Sequence, residues 1–327
     1  MLPRMIARVL FILSMITLTF SPLIEGAEPR KLRIGLIPGA QDFIMHVMET
    51  QNFLRKHNVL YEKEKVLSPP TVHLFIAEKK VDLGFGGFTV MARARAEGKG
   101  TLVIGAMFSP TNFVLVPKDS PAKSLVDLKG KRVGIFGGPG ATTSIMLFAI
   151  AKRWYGVDLQ KESQIITAPS PALAGLLDNR ELGAALVGTI DSLKLSLAGK
   201  YRTLLDLSEE WEKRAGRAPA HVSISTNDDF ARAYPDLLKN YMKAYFETVK
   251  YIRLNPSVWE SYGKEIKMTS KEEIALLRER IGPRIVERWD RQQMDIQKDF
   301  LEVTRQILGP KVLKTVPEGL MTDAYNP

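Results

Sequence analysis

Small and polar residues in glycine-rich segments are the groups of this chain that are best suited to chemistry. Residues 137–144 read GGPGATTS and lead into a predicted helix, without the lysine of a nucleotide-binding P-loop. Backbone N–H groups at a helix start, with the hydroxyls of Thr142 and Thr143, suit a carboxylate, sulfonate or phosphate. The alternative is that one threonine only caps its own helix. The candidate ligand-binding residues of this segment are Gly138, Gly140, Ala141, Thr142 and Thr143.

A second candidate segment follows the first predicted strand and contains Gly39, Gln41, Asp42 and Phe43. Gln41 and Asp42 have the groups to hydrogen-bond a ligand. Asp42 is also a good N-cap for a helix that begins at Phe43. Phe43 and Phe88 suit an apolar or stacking wall of a binding site, and each also suits the hydrophobic core.

Further polar candidates lie at three other places. Gly87 and Thr89 follow a predicted strand at 81–85, Thr189 and Asp191 follow one at 182–187, and Asn112 lies between the two halves of the chain. Asp191 can pair with a cationic or N–H-rich group of a ligand, and it can equally cap the helix that follows. An acidic residue at this position disfavours a bare small anion as the ligand.

Catalytic chemistry has little support in the sequence. The chain has no cysteine, which excludes disulfides, thiolate metal sites and cysteine nucleophiles. Its histidines, His46, His57, His73 and His221, lack metal-ligand spacing. No Gly-x-Ser-x-Gly elbow occurs. We therefore predict a protein that is not an enzyme, with no catalytic residue, no metal site and no cofactor.

The candidates lie in the turns of a β-α-β unit that occurs twice. The first unit has a strand at 31–37, a glycine turn, helices at 42–56 and 70–78, and a strand at 81–85. The second has a strand at 131–136, a glycine turn, helices at 142–155 and 171–178, and a strand at 182–187. Because Gly35 matches Gly134 and Gly87 matches Gly188, the two units have the same plan.

Two such units predict an α/β fold with two lobes, each a mostly parallel sheet flanked by helices, and a hinge between them. Ligands of such sheets bind beyond the carboxyl ends of the strands, so the loops predict one cleft between the lobes. The alternative is that these strands end in small residues for steric reasons alone. The predicted division is lobe 1 at 27–118 plus 207–327 and lobe 2 at 119–206, with crossovers near 108–118 and 201–225.

Residues 1–26 have the pattern of a secretory signal peptide. Arg4 and Arg8 precede an apolar run at 9–20, and small residues follow it. The run is shorter than the roughly 20 residues of a membrane helix, although an uncleaved anchor is the alternative. Cleavage after Gly26 would remove two arginines and Glu25 and lower the net charge from +10 to +9. Without a cysteine for a lipid anchor, the periplasm is the expected compartment.

The positive charge can attract acidic ligands, anionic membranes or nucleic acid. Basic residues alternate with acidic ones, as in EKEK at 62–65, and no basic, aromatic-rich stripe of a nucleic-acid module occurs. We therefore expect a solvated basic surface and no nucleic-acid partner.

Several segments together resemble one family of proteins. They are KLRIGLIPGAQDF at 31–43, KKVDLGFGGFTV at 79–90, SPAKSLVDLKGKRVGIFGGPG at 120–140, RELGAALVGTID at 180–191 and STNDDFARAYPDLL at 225–238. Over residues 30–270 the chain resembles the periplasmic solute-binding proteins of nitrate/sulfonate/taurine-type ABC importers, including their thiamine-precursor-like branch. The phrase at 125–134 is the most specific. Where many members have an aromatic or Trp-Glu-Pro-like element after the strand at 182–187, this chain has Gly188-Thr189-Ile190-Asp191.

The resemblance implies a monomer that closes two lobes around a small solute and delivers it to an inner-membrane ABC permease. It suggests ligand contacts from the loops 39–43, 86–89, 138–143 and 189–191, and a sulfonate, a carboxylate or a pyrimidine-like molecule as the solute. Two alternatives stand beside this prediction. One is an enzyme of the same fold related to thiamine-pyrimidine synthesis, against which the signal peptide argues. The other is a ligand-sensing subunit of a signalling system.

Overall fold

Apolar runs that end in glycine turns form two five-stranded sheets. The computed structural model describes residues 30–37, 40–66 and 69–327. The predicted signal peptide at 1–26 and the candidate Gly39 therefore lie outside the described residues. In chain order the strands are β1 (Leu32–Leu36), β2 (Tyr61–Lys65), β3 (Leu83–Gly87), β4 (Thr101–Phe108), β5 (Phe113–Pro117), β6 (Arg132–Ile135), β7 (Gln164–Thr167), β8 (Ala184–Leu186), β9 (Tyr201–Asp206) and β10 (Val222–Asn227).

Helices cover the faces of both sheets and form the carboxyl-terminal part of the chain. They are α1 (Ala40–Thr50), α2 (Phe53–Lys56), α3 (Pro69–Ala77), α4 (Phe88–Ala96), α5 (Thr142–Trp154), α6 (Leu159–Glu162), α7 (Ser170–Asp178), α8 (Thr189–Leu197), α9 (Leu207–Ala215), α10 (Asp228–Ala233), α11 (Pro235–Leu254), α12 (Ser257–Glu265), α13 (Lys271–Ile281) and α14 (Arg291–Leu308). Short 3₁₀ turns occupy Leu125–Leu128 and Gly282–Arg284. Among the described helices, none combines the length and apolarity that crossing a bilayer requires.

The two sheets have the same plan. The first has the spatial order β2-β1-β3-β10-β4 and the second the order β7-β6-β8-β5-β9. In each, the first three strands pair in parallel. A single strand, β10 or β5, runs antiparallel to both of its neighbours. The prediction of two mostly parallel sheets from a repeated unit is therefore confirmed.

The chain passes between the two sheets twice. β5 follows β4 in the chain but pairs with β8 and β9, so the chain passes to the second sheet within residues 109–112. After β9 the chain returns through α9 to β10, which lies between β3 and β4 of the first sheet. We call the first sheet with its helices lobe 1 and the second sheet with its helices lobe 2.

Helix α11 closes the core of lobe 1. Its residues Leu238, Tyr241, Met242 and Tyr245 are buried, as their spacing along one helix face predicts. The hydroxyl of Tyr245 donates a hydrogen bond to a backbone carbonyl of β4, 3.0 Å away. This contact gives a buried polar atom its partner, so the aromatic stripe packs without an unsatisfied hydroxyl at this position.

Helix α14 lies against both lobes. Phe300 packs among buried residues of α5 in lobe 2 and meets Trp211 edge-on at 5.3 Å between ring centres. The next residue, Leu301, belongs to a buried cluster of lobe 1 that includes Phe88 and Trp289. The carboxyl-terminal helices are therefore not confined to one lobe.

Candidate ligand-binding cleft

A cleft of about 710 Å³ lies where the carboxyl ends of the central strands of both sheets meet. Leu36 and Gly87, at the ends of β1 and β3, line it from lobe 1. Phe136 and Gly188, which follow β6 and β8, line it from lobe 2. This volume is typical of sites for small organic ligands, and the position is where open α/β sheets bind them.

The structure brings most of the predicted site residues to this cleft. Those that line it are Gln41, Asp42, Gly87, Asn112, Ala141, Thr142, Thr143, Thr189 and Asp191. Those of the described residues that do not line it are Phe43, Phe88, Thr89, Gly138 and Gly140. Helix α1 begins at Ala40, so Asp42 lies in the first turn of the helix and not at the expected cap position.

Phe43 and Phe88 lie in the core of lobe 1. The ring of Phe43 stacks on Trp259 with 4.2 Å between ring centres. Phe88 packs against Trp289 with 5.9 Å between ring centres. Both phenylalanines are fully buried. Of the two places predicted for these residues, the wall of a binding site and the hydrophobic core, the structure shows the core.

Thr142 joins the two lobes and does not cap its own helix. The N-cap of α5 is Ala141. Thr142 Oγ1 lies 2.8 Å from Thr89 Oγ1 of lobe 1 and accepts the backbone N–H of Thr89 at 3.2 Å. Arg93 donates a second bond between the lobes, to the carbonyl of Gly140 at 2.8 Å.

Gly87 is required for this contact between the lobes. A Cβ atom at position 87 would lie 2.5 Å from Thr142 Oγ1, closer than real Cβ atoms approach another heavy atom. The absence of a side chain therefore lets α4 and α5 approach each other.

Asn112 and Thr189 lie where the first crossover meets lobe 2. Asn112 is buried, and its Nδ2 donates to the carbonyl of Val187 at 2.8 Å. The hydroxyls of Thr111 and Thr189 are 2.6 Å apart. These contacts fix the crossover to lobe 2 at the edge of the cleft.

Three helices of lobe 2 begin at the cleft. The N-caps of α5, α7 and α8 are Ala141, Pro169 and Gly188, and within the described residues no side-chain bond caps them. First-turn N–H groups without such caps attract anions and hydrogen-bond acceptors. Asp191 lies in the first turn of α8 and lines the same wall, so this wall combines N–H donors with one carboxylate.

Three histidines line the cleft, His46, His73 and His221, and the sequence did not identify any of them as a site residue. His46 Nε2 lies 2.8 Å from Ser261 Oγ. His73 Nε2 accepts the backbone N–H of Gly87 at 2.8 Å, and burial with nearby Arg93 lowers its pKa to about 3. Burial lowers the pKa of His221 to about 4. Both imidazoles are therefore neutral at pH 7. The only sequence signal was position, since His221 directly precedes the strand that follows the second crossover.

Two of the three lysines that line the cleft have partners. Lys63 Nζ lies 2.7 Å from Glu49 Oε1 within lobe 1. Lys194 of α8 donates to the carbonyl of Ile266, just after α12, at 2.9 Å. The second of these bonds connects lobe 2 to the carboxyl-terminal helices. The side chain of the third lysine, Lys65, has no ion pair or hydrogen bond among the described residues.

Residues 67–258 match the family model described as NMT1/THI5 like. A Haemophilus influenzae protein named for thiamine biosynthesis is 31% identical over 144 residues, which are 42% of this chain and 46% of that protein. The match thus spans about half the length of this relative.

Solved structures share the fold. The alkanesulfonate-binding protein SsuA of Xanthomonas axonopodis pv. citri, bound to MOPS, has a TM-score of 0.72 and 16% identity over 92% of this chain and 99% of its own. Escherichia coli SsuA, a periplasmic aliphatic sulphonate binding protein, has a TM-score of 0.67 and 17% identity over 89% and 91%. A Candida albicans protein with the generic periplasmic binding protein fold has a TM-score of 0.70 and 16% identity over 90% and 97%. The two-lobe periplasmic binding protein fold that the sequence predicted is therefore the fold of this chain.

Proposed function

This chain belongs to the NMT1/THI5-like family, and from that premise we propose that it is the periplasmic solute-binding component of an ABC importer. It binds a small polar or anionic organic solute in the cleft and passes it to an inner-membrane permease. The observation that carries the proposal is the cleft of about 710 Å³ lined by strand-end turns of both lobes. A solute that touches both walls stabilises the closed arrangement of the lobes.

The polarity of the walls supports an organic solute over a bare inorganic anion. The starts of α5, α7 and α8 offer N–H groups to a sulfonate or carboxylate. The carboxylate of Asp191 lines the cleft and accepts hydrogen bonds from a solute with donors. Gln41 Oε1, a second acceptor, is buried without a partner among the described residues. A solute with both acceptors and donors satisfies both sets. Sulfonates, carboxylates and pyrimidine-like molecules remain the candidates.

Closure is a population shift that the solute drives. Moving the lobes from 1:99 to 99:1 in favour of the closed form requires about 5.5 kcal/mol of preferential binding. Hydrogen bonds to charged groups contribute about 1.5–3 kcal/mol each, so a few such bonds are enough. A solute of one or two functional groups can therefore close the cleft.

The name of the Haemophilus relative favours a second candidate, an enzyme of the same fold related to thiamine-pyrimidine synthesis. The two functions differ in one measurable property. A transport receptor returns its solute unchanged, whereas an enzyme converts it. Mass spectrometry of a solute after prolonged incubation with purified protein distinguishes them.

The test of the proposal is a binding panel with four probes: taurine, MOPS, benzoate and 4-aminopyrimidine. We expect at least one probe to bind saturably, and at 100 times its Kd to stabilise the fold by about 2.7 kcal/mol in thermal melting. Small-angle X-ray scattering should show a smaller radius of gyration with that probe. Asp191→Asn should weaken binding of taurine and 4-aminopyrimidine, which carry N–H donors, and Asp178→Asn, outside the cleft, is its control.

Three outcomes would contradict the proposal. Binding with unchanged scattering would rule out lobe closure. Conversion of the bound probe would favour the enzyme. Failure of every probe to bind would count against a solute receptor for these chemical classes.

A further inference from the structure

His221 is fixed at the point where the two crossovers approach each other. It directly precedes β10, and its backbone N–H donates to the carbonyl of Phe108, the last residue of β4, at 2.8 Å. Its own carbonyl accepts the N–H of Phe88, the first residue of α4, at 3.3 Å. The backbone of His221 is therefore held by two elements of lobe 1, and its side chain lines the cleft.

The same contacts determine which ring nitrogen of His221 carries the proton. Nδ1 lies 3.2 Å from the carbonyl oxygen of Phe108. A carbonyl oxygen only accepts hydrogen bonds, so Nδ1 must be the donor. Burial keeps the ring neutral, lowering its pKa to about 4 although the carbonyls of Phe108 and Ser109 oppose that effect. In a neutral imidazole protonated at Nδ1, Nε2 is a bare acceptor.

His73 and His221 differ in how this acceptor is used. Nε2 of His73 is occupied by the N–H of Gly87 at 2.8 Å. Among the described residues, the structure shows no hydrogen bond to Nε2 of His221. His73 therefore stabilises a turn of the protein, whereas Nε2 of His221 has no hydrogen-bond donor among the described residues.

We propose that His221 selects solutes that present an N–H or O–H donor to its Nε2, an inference that rests on the proposed function. A solute with a donor at this point gains a hydrogen bond. A solute with only acceptors leaves two lone pairs facing each other in a partly dehydrated site, which costs free energy. Selection by a single acceptor of fixed orientation needs no charge on the protein at this point.

Two substitutions separate the acceptor from the structural bond. In His221→Asn, the amide nitrogen occupies about the position of Nδ1 and can still donate to Phe108, but no acceptor reaches the position of Nε2. In His221→Gln, the longer side chain places an amide oxygen near the position of Nε2. If His221 has only a structural role, the Asn variant should keep more of the wild-type preference for solutes with donors than the Gln variant does. The proposed selective role predicts the reverse.

The experiment measures binding of three probes to wild type and both variants. The probes are 4-aminopyrimidine, which has N–H donors, and pyrimidine and methanesulfonate, which have none. We expect wild type to prefer 4-aminopyrimidine over pyrimidine by roughly 2- to 10-fold, the equivalent of one hydrogen bond. His221→Asn should abolish this preference, and His221→Gln should keep part of it. Methanesulfonate affinity should fall in neither variant.

An independent measurement needs no variant and no solute. Nitrogen-15 NMR of histidine-labelled wild type should show His221 with a protonated Nδ1 and an unprotonated Nε2 at pH 7. The opposite tautomer would overturn the inference. A preference for 4-aminopyrimidine that persists in His221→Asn would overturn it while leaving the proposed function intact. If none of the three probes binds the wild-type protein, both the proposed function for these solutes and the role of His221 fail together.

Discussion

His73 is buried beside the cleft and His221 is half-buried there, and neither has a carboxylate to stabilise a positive charge in the contacts described for it. Each accepts or donates a hydrogen bond with the backbone instead. Burial is the main reason that their pKa values fall to about 3 and about 4. Because both rings are uncharged throughout the physiological range, they supply directional hydrogen-bonding groups that do not change with small changes of pH.

Acid should therefore destabilise the fold before the carboxylates titrate. An unfolded histidine has a pKa of about 6.5. Below that pH, His73 and His221 bind protons in the unfolded chain but stay neutral in the folded chain. Stability is fully present above about pH 7 and falls as the pH decreases. Between pH 7.5 and 5 we expect the free energy of unfolding to drop by about 4 kcal/mol, measured by urea unfolding.

The variant His221→Asn is the control for this pH dependence. With one of the two neutral imidazoles removed, about half of the decrease should disappear. A free energy of unfolding that stays constant from pH 7.5 to 5 in wild type would contradict the assignment of two neutral rings.

The residues that sequence reasoning placed at the cleft share one property, which is that they follow the carboxyl end of a strand. This rule predicted that Gln41, Thr142 and Asp191 lie at one cleft, and all three line it, because strand order fixes where these turns lie. It could not place Phe43, because the direction of a side chain in the first turn of a helix depends on where that helix packs. His221 belongs to no strand-end turn of the repeated unit. Its place at the cleft depends on the position of β10 between β3 and β4, which the sequence pattern does not predict.

At the scale of elements, α4 and α5 form a direct contact between the lobes through Thr89 and Thr142. Both side chains are buried. Valine has nearly the shape of threonine but no hydroxyl, so Thr142→Val leaves the N–H and hydroxyl of Thr89 without this partner. We expect a loss of about 1–3 kcal/mol in the free energy of unfolding, measured in urea.

Thr143→Val is the matched control, one residue further along the same helix. Thr143 lines the cleft and is only partly buried, so its substitution should change stability by less than about 0.5 kcal/mol. Equal effects of the two substitutions would contradict the bridging role of Thr142.

The strands and helices that the sequence did not reveal are those whose residues do not alternate clearly between buried and exposed. β2 reads YEKEK and is almost wholly exposed, because it forms an outer edge of the first sheet. Its charges indicated solvent, which is correct, but they gave no sign of a strand. The helix predicted at 42–56 is divided into α1 and α2 by Asn52, whose φ of 57° is in the left-handed region. Asparagine tolerates this conformation, and nothing in the apolar spacing reveals it.

For the whole molecule, Arg284 connects both crossovers. Its Nη2 lies 3.4 Å from Asp206 and 3.5 Å from Glu209, at the end of β9 and in α9. Its backbone carbonyl accepts the N–H of Ser109, in the first crossover, at 2.9 Å. The side chain of Arg284 is only 11% exposed, whereas Arg288 nearby is 78% exposed. The region around Arg284 is therefore the expected hinge.

Arg284→Met should loosen this hinge. The buried Asp206 keeps Arg280 at 3.7 Å, so we expect a moderate loss of about 1–3 kcal/mol in the free energy of unfolding, below the cost of leaving a buried charge with no partner. Small-angle X-ray scattering of the variant without solute should show a larger radius of gyration. Arg288→Met, which removes an exposed side chain, should change neither quantity. Unchanged scattering and stability in Arg284→Met would rule out its role at the hinge.

The place of β10 between β3 and β4 also determines when lobe 1 can fold during synthesis. Until residues 222–227 have been made, β3 and β4 have no strand to join them, and the first sheet cannot be completed. The amino-terminal third of the chain must therefore wait, incompletely folded, for a segment that is translated much later. For a protein that we propose is exported, this delay is useful, because a translocation channel that threads unfolded chains could engage the amino-terminal end before the first lobe has formed.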